Sequence, residues 1–281
     1  MADRTEYEKA LELVDELNPS AHVLSKAQQQ IRDPNIEITD LVKTLNADPT
    51  ITADIIRISN SAYYSYATAS KDLNTAISRL GFQELLKLVG LAVSKNIFNQ
   101  DLTYYNMSAM DYWSESVSVA LLMEVLGKAI SQDHQLFYTV GLLSTVGKLV
   151  INQVLEILGE ETIFEGSNIK DWEKTTLGFD NAFAGAMILK RWEFPTEITN
   201  AILHQYKKEN SEEETAVLNT LAFSRKIITQ TGSGFSNDNL EVDEWMEEYL
   251  GKYYIDEEEL INGVVVATEN YEIIKSELDI H

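Results

Sequence analysis

The stretch Gly141-Leu142-Leu143-Ser144-Thr145-Val146-Gly147-Lys148-Leu149-Val150 decides how this chain is read. An apolar frame surrounds two hydroxyls, a glycine and a lysine. It sits inside Phe137 to Leu158, which is apolar on several sides and predicts one buried central helix. Ser144 and Thr145 side by side are chemically mild. Their neutral oxygens bind divalent metals weakly and supply no charge.

Working outward, the pattern is helical throughout. Four prolines occur, Pro19, Pro34, Pro49 and Pro195, so none interrupts the chain between Thr50 and Phe194. Apolar residues at spacings of three and four fill that gap. Asp33-Pro34 ends a helix over roughly Ser20 to Arg32. Asp48-Pro49 starts another, with Asp48 as cap and Pro49 in the first turn. Phe194-Pro195-Thr196-Glu197 reads as a third start. Leu73 to Leu80 ends at Gly81, a glycine suited to a helix C-terminus. Leu85, Leu88, Val89, Ala92 and Val93 form one apolar stripe, and Val117, Ala120, Leu121 and Val125 form another. Ala182 to Trp192, Glu197 to Tyr206, Val217 to Thr229, Val242 to Tyr254 and Glu257 to Leu278 complete the helices. The fold class is all-α. The polar, aromatic loop from Gln100 to Met110 marks a boundary between two packed helical subdomains, 1–103 and 104–281.

Composition narrows the function. The chain has 281 residues, 44% of them hydrophobic, and no cysteine, so thiolate metal sites and disulfides are excluded. The N-terminus carries no apolar signal region, and no unbroken apolar run approaches the roughly 18 residues of a membrane span. A cytoplasmic setting is expected. A formal charge of −23 argues against nucleic acid and anionic membranes as partners across the whole surface. Residues 237–281 hold 14 acidic and 2 basic residues. They read as a solvated helical surface, or alternatively as an acidic docking face for a basic partner. The loop GSGFSNDN, Gly232 to Asn239, lacks the strand and the Lys-Ser/Thr ending of a phosphate cradle.

Longer-range motifs support a family resemblance. Asp48-Pro49, then Ala53 to Tyr64 with Asn60-Ser61-Ala62-Tyr63-Tyr64 at its end, then Ala76-Ile77-Ser78-Arg79-Leu80-Gly81, resemble the signature of the HDOD family. Tyr112-Trp113, GLLSTVGKLV, Gly178 to Ala186, Lys190 to Pro195 and Ala201 to His204 follow in the family's order, so the resemblance covers about residues 15 to 275. GLLSTVGKLV itself resembles the GLLHDIGKL core of HD-type metal phosphohydrolases, with the His-Asp pair replaced by Ser144 and Thr145. The resemblance implies the HD-like fold, a bacterial source and a role in signalling or regulation. The chain looks like a stand-alone HDOD protein.

Carried over position by position, the first histidine of an HD site falls near Glu115, the His-Asp pair at Ser144 and Thr145, and later histidines at Asn181 and His204. Only Glu115 and His204 could ligate strongly, too few for a catalytic divalent metal. No metal or other cofactor is expected. Lys148 is retained; it either contacts an anion or ligand with Ser144 and Thr145, or pairs with a carboxylate or snorkels to solvent. His204 reads as a hydrogen-bonded structural histidine, or alternatively as a ligand or base. Asn60 and Ser61 read as capping groups or as a polar lining between the subdomains. Trp113, Trp172, Trp192 and Trp245 read as core or half-buried anchors. The expected function is a non-enzymatic bacterial regulatory protein that binds an unidentified signalling protein or small ligand. Its competitors are an HD-type metal-dependent phosphohydrolase and an inactive, nucleotide-binding pseudo-enzyme.

Overall fold

The computed structural model describes residues 4–61, 64, 69–166, 168–206, 212–233 and 240–278. Ala62 and Tyr63 of the signature segment, residues 234–239 of the Gly232–Asn239 loop, and His281 lie outside them. Every regular element described is helical, and β pairing is limited to an isolated bridge between Leu102 and Met107. The first half contains α1 (Arg4–Leu17), α2 (Ser20–Ile31), α3 (Ile38–Asn46), α4 (Pro49–Ser59) and α5 (Leu73–Ile97). A 3-10 turn at Thr103–Tyr105 leads into α6 (Ala109–Ala129), α7 (His134–Leu143) and α8 (Gly147–Leu158). The remainder is α9 (Ile169–Leu177), α10 (Asn181–Arg191), α11 (Thr196–His204), α12 (Glu212–Thr231), α13 (Glu244–Tyr253) and α14 (Glu257–Glu277).

Local chemistry accounts for many of the boundaries. Asp48 accepts the Thr50 and Ile51 N–H groups at 2.9 and 3.1 Å, the cap expected of Asp-Pro. Asp72, Asp133, Asp180, Asp243 and Asp256 cap α5, α7, α10, α13 and α14 in the same way. Part of the chain's large acidity is thus spent on helix starts. At Gly81 the backbone turns to φ 79° and ψ 169°, a conformation essentially confined to glycine, and α5 bends there. Asn60 caps the end of α4 and exchanges two hydrogen bonds with the backbone of Ser70, at 2.6 and 2.9 Å. Its role is therefore backbone bonding.

The expected single helix from Phe137 to Leu158 is two helices, α7 and α8. Residues 144–146 tighten into short turns, with Val146 N–H bonded to Leu143 O and Lys148 N–H to Thr145 O. Side chains take up two carbonyls of this turn: Arg225 donates to Ser144 O and Tyr112 to Thr145 O. Periodicity could not reveal the break, because its residues are as buried as the helices on either side. The 134–158 stretch is long and apolar enough to cross a membrane by composition, but 83% of its apolar window is buried in the protein, as in a core helix. Helices α1, α3 and α9 were not anticipated from the sequence.

Buried apolar residues from both halves form one continuous cluster. Helix α2 packs on α3 and α5, α4 on α3 and α5, and α5 on α6 and α7. Helix α6 packs on α7, α12 and α14. Helix α1 packs against α8 and α10, across the boundary expected near residue 103. Trp113 and Trp192 are buried and Trp172 is half-buried, while Trp245 is 40% exposed. Between α5 and α6, the Glu124 carboxylate is buried against both Lys87 and Lys128. Burial alone would raise its pKa; the two ammonium groups more than offset that and hold it below the ordinary value.

Two glycines of GLLSTVGKLV mark the tightest contacts. A Cβ on Gly141 would come within 2.8 Å of Ala120 Cα on α6. One on Gly147 would lie 1.9 Å from the carbonyl oxygen of Asn181 and 2.6 Å from Gly185 N, where α8 meets α10. These obstacles are backbone, so they cannot swing aside. Gly147→Ala is therefore expected to cost at least the ~1–3 kcal/mol of ordinary overpacking. Gly251→Ala, in a helix with open space around it, should be neutral or add about 0.5–1 kcal/mol. Urea melts of the two variants check this; equal stabilities would contradict the close contact at Gly147.

Candidate functional site

Helix α6 presents Tyr112, Glu115 and Ser116 on one face through their i, i+3, i+4 spacing. The α7–α8 turn contributes Ser144 and Thr145, and the first turn of α8 contributes Lys148. Asn181 opens α10, and His204 closes α11. Glu115 pairs with Lys148, Thr145 with Ser116 and Asn181 with Glu173, while the Ser144 hydroxyl bonds within its own turn.

Each of them is already engaged. The Lys148 ammonium donates to both oxygens of Glu115, at 2.9 and 3.1 Å. Lys148 is 7% exposed and lies 5.9 Å from the centre of the Tyr105 ring. Of the two readings of Lys148, pairing with a carboxylate is the one observed. The Ser144 hydroxyl donates to Gly141 O at 2.8 Å. The Thr145 hydroxyl bonds Ser116 Oγ at 2.7 Å. Asn181 is fully buried; its backbone N–H and side-chain Nδ2 donate to Glu173 at 2.7–2.9 Å, and its Oδ1 accepts from Tyr206 at 3.1 Å. Arg225 bonds Gln205 Oε1 as well as Ser144 O, and its guanidinium lies over the Tyr206 ring. His204 is half-buried, and among the described residues it has no hydrogen bond or ion pair. The hydrogen-bonded role expected of it is not found there.

The residue missed in the sequence is Glu173. It is fully buried on α9 and collects hydrogen bonds from Asn181 and from the Tyr105 hydroxyl, the latter at 2.8 Å. Burial raises its pKa above the ordinary glutamate value, although the Asn181 and Tyr105 hydrogen bonds and the nearby Lys148 charge act in the opposite direction. Burial, with the Glu173 charge second, pushes the Tyr105 phenol well above its ordinary range. The signal for Glu173 was available: Asn168 as cap, Trp172 and Leu177 as an apolar face, and Gly178 as terminator define the short helix that carries it.

The likeness to HD-type hydrolases implies a divalent metal at these positions, and the side chains do not fit one. Ser144, Thr145 and Asn181 offer only neutral oxygens, all in use. Glu115 holds an ammonium, which would repel a cation brought to the same carboxylate. Glu115, Glu173 and His204 do not converge; among the described residues no group of three or more His, Cys, Asp or Glu is placed to hold a metal.

Glu173 makes a pH-dependent prediction. Its folded-state pKa lies above the ordinary 4.5, so the folded chain holds this proton more tightly than the unfolded chain. The group is neutral to stability at lower pH, and its ionisation opposes folding increasingly as pH rises from the ordinary value through the folded one. Relative to Glu173→Gln, the parent should lose stability as pH rises above about 4.5. Urea melts across pH check this; a difference that is flat or grows in the parent's favour would contradict the burial assigned to Glu173.

Comparison with known proteins places this geometry in a family. The model of the HDOD domain matches residues 17–208. An uncharacterised protein of Treponema pallidum (strain Nichols) is 23% identical over 221 residues, covering 76% of this chain; the chain spans 42% of that protein's length. A candidate phosphohydrolase from Shewanella amazonensis SB2B superposes with a TM-score of 0.70 at 21% identity, over 96% of this chain and 97% of that one. An HDOD domain protein of unknown function from Geobacter sulfurreducens gives 0.62 at 19%, over 97% and 94%. A candidate signal transduction protein from Marinobacter aquaeolei VT8 gives 0.63 at 18%, over 98% of this chain and 64% of that one. At these identities the structural likenesses establish the fold, and the family match over most of the chain establishes more: the protein belongs to the HDOD domain family.

Proposed function

We propose that this chain is a non-enzymatic regulatory or signal-transduction protein of the bacterial cytosol, acting by binding a protein partner or a small ligand. One observation carries the reading: the Lys148 ammonium is bonded to both oxygens of Glu115, the one strong anionic donor among the carried-over metal positions. An internal cation serves the carboxylate there. A solved neighbour named as a candidate signal transduction protein agrees with this reading, while two others are named as candidate phosphohydrolases. The phosphohydrolase alternative requires Lys148 to leave Glu115. The alternative of an inactive nucleotide pocket draws on Lys148 and Arg225 lying in the same region, but both cations already have protein partners.

The test is turnover of phosphomonoesters and phosphodiesters by purified protein supplied with Mg²⁺ or Mn²⁺. The expected rate equals that of the uncatalysed control, and metal-dependent turnover would contradict the proposal. A sharper version introduces the His-Asp pair of HD-type hydrolases. Ser144→His with Thr145→Asp should still give no hydrolysis, because Lys148 continues to occupy Glu115 and Asn181 remains tied to Glu173. Robust activity of that double variant would show that the remaining site is intact.

A further inference from the structure

Helix α14 has two faces. Leu260, Val264, Ala267, Tyr271 and Ile274 are buried on the side that meets α6, where Tyr271 donates to Ser114 at 2.8 Å. The other side runs Glu258, Ile261, Val265, Glu269, Glu272 in steps of three and four, with Val266 beside them. Ile261 and Val266 are each 45% exposed, and Val265 is half-buried. We propose that this outer face of α14 is the docking surface for a basic amphipathic helix of another protein. The partner lays aliphatic side chains on Ile261, Val265 and Val266, and pairs two Lys or Arg side chains with Glu258 and Glu269.

The apolar residues are what a merely solvated surface does not explain. The acidic stretch 237–281 read from sequence either as such a surface or as a docking face. Eight large hydrophobic side chains are exposed among the described residues, and four of them, Trp245, Tyr254, Ile261 and Val266, fall inside this stretch. Ile and Val are also poor helix formers, a cost that core packing offsets at Val264 but not at the outward positions. An exposed aliphatic patch of this kind is covered usefully only by something from outside the fold.

Charge decides what covers it. Helix α14 carries six carboxylates and one lysine, and that lysine lies over the Tyr271 ring. None of the six carboxylates forms an ion pair among the described residues. Glu258 and Glu269 bracket the aliphatic patch, eleven residues apart and so about 16 Å along the helix. A second copy of the chain, also at −23, is repelled, as are nucleic acid and anionic membranes. An extended peptide finds no strand to pair with among the described residues, whereas a helix can pack along α14 over several turns.

This inference rests on the regulatory reading and names a partner class for it. The two fail separately. Metal-dependent hydrolysis would contradict that reading without involving α14, and an unresponsive α14 would remove this partner without giving the chain an activity.

The experiment is methyl NMR on the full chain, titrated with a synthetic helical peptide. The peptide carries leucines along one face and an arginine at either end of that face, eleven positions apart. A control peptide has the same composition with the leucines redistributed around the helix. The first peptide should shift the methyls of Ile261, Val265 and Val266 saturably, and the control should bind at least about tenfold more weakly. Ile261→Gln with Val266→Gln should weaken the first peptide by a similar factor. Urea melts of that variant should match or exceed the parent's, because glutamine is the better helix former on a solvent face. Glu258→Gln with Glu269→Gln is the second variant; it should weaken binding and reduce its dependence on salt. The proposal is overturned if these methyls do not respond. It is equally overturned if the control peptide binds as well as the first, which would mean diffuse attraction to an acidic chain, or if the folded variants bind as the parent does.

Discussion

Between Gly147 and the carbonyl of Asn181 there is no room for a methyl group: a Cβ would stand 1.9 Å from that oxygen. The starts of α8 and α10 therefore meet backbone to backbone. Gly185 completes the contact from one turn further along α10. Much of the polar interior depends on this approach. It holds Asn181 where Glu173 and Tyr206 reach it, and it sets Lys148, the residue after Gly147, opposite Glu115. The glycine of the family motif is thus retained for packing, whatever becomes of the chemistry beside it.

Most of the polar residues inside this frame bond one another, although the buried Gln205 Nε2 has no partner among the described residues. A buried ion pair gains little net stability, because desolvation offsets the attraction, but removing one partner leaves an uncompensated charge. In this pair Lys148 is buried and Glu115 only partly so, and the Lys148 charge also moderates the burial penalty on Glu173. In an HD enzyme a metal would join the motif lysine as a second cation among these helices. Here Lys148 is bonded to the Glu115 carboxylate, and neutral hydroxyls and amides bond around it.

Much of the fold was legible in the sequence because its signals are local. Asp48-Pro49, Pro195 and Gly81 act through capping and backbone geometry within a few residues. The break between α7 and α8 was not legible: residues 144–146 are apolar or small and buried, and what ends the helix is a contact with α10 and side chains from α6 and α12. The candidate site was half legible. Motif order located Glu115, Ser144, Thr145 and Asn181, but the pairing of Lys148 with Glu115 spans 33 residues and leaves no periodic trace. Glu173 sits on a nine-residue helix whose surface-like composition, IKDWEKTTL, conceals a fully buried carboxylate.

The central claim is that the Lys148 ammonium occupies the carboxylate a metal among these helices would need. Anomalous diffraction from crystals soaked in Mn²⁺ tests it most directly. The account predicts no manganese peak within coordinating distance of Glu115 and a Lys148 Nζ that remains bonded to both carboxylate oxygens. A peak ligated by Glu115, with Lys148 swung away, would contradict it.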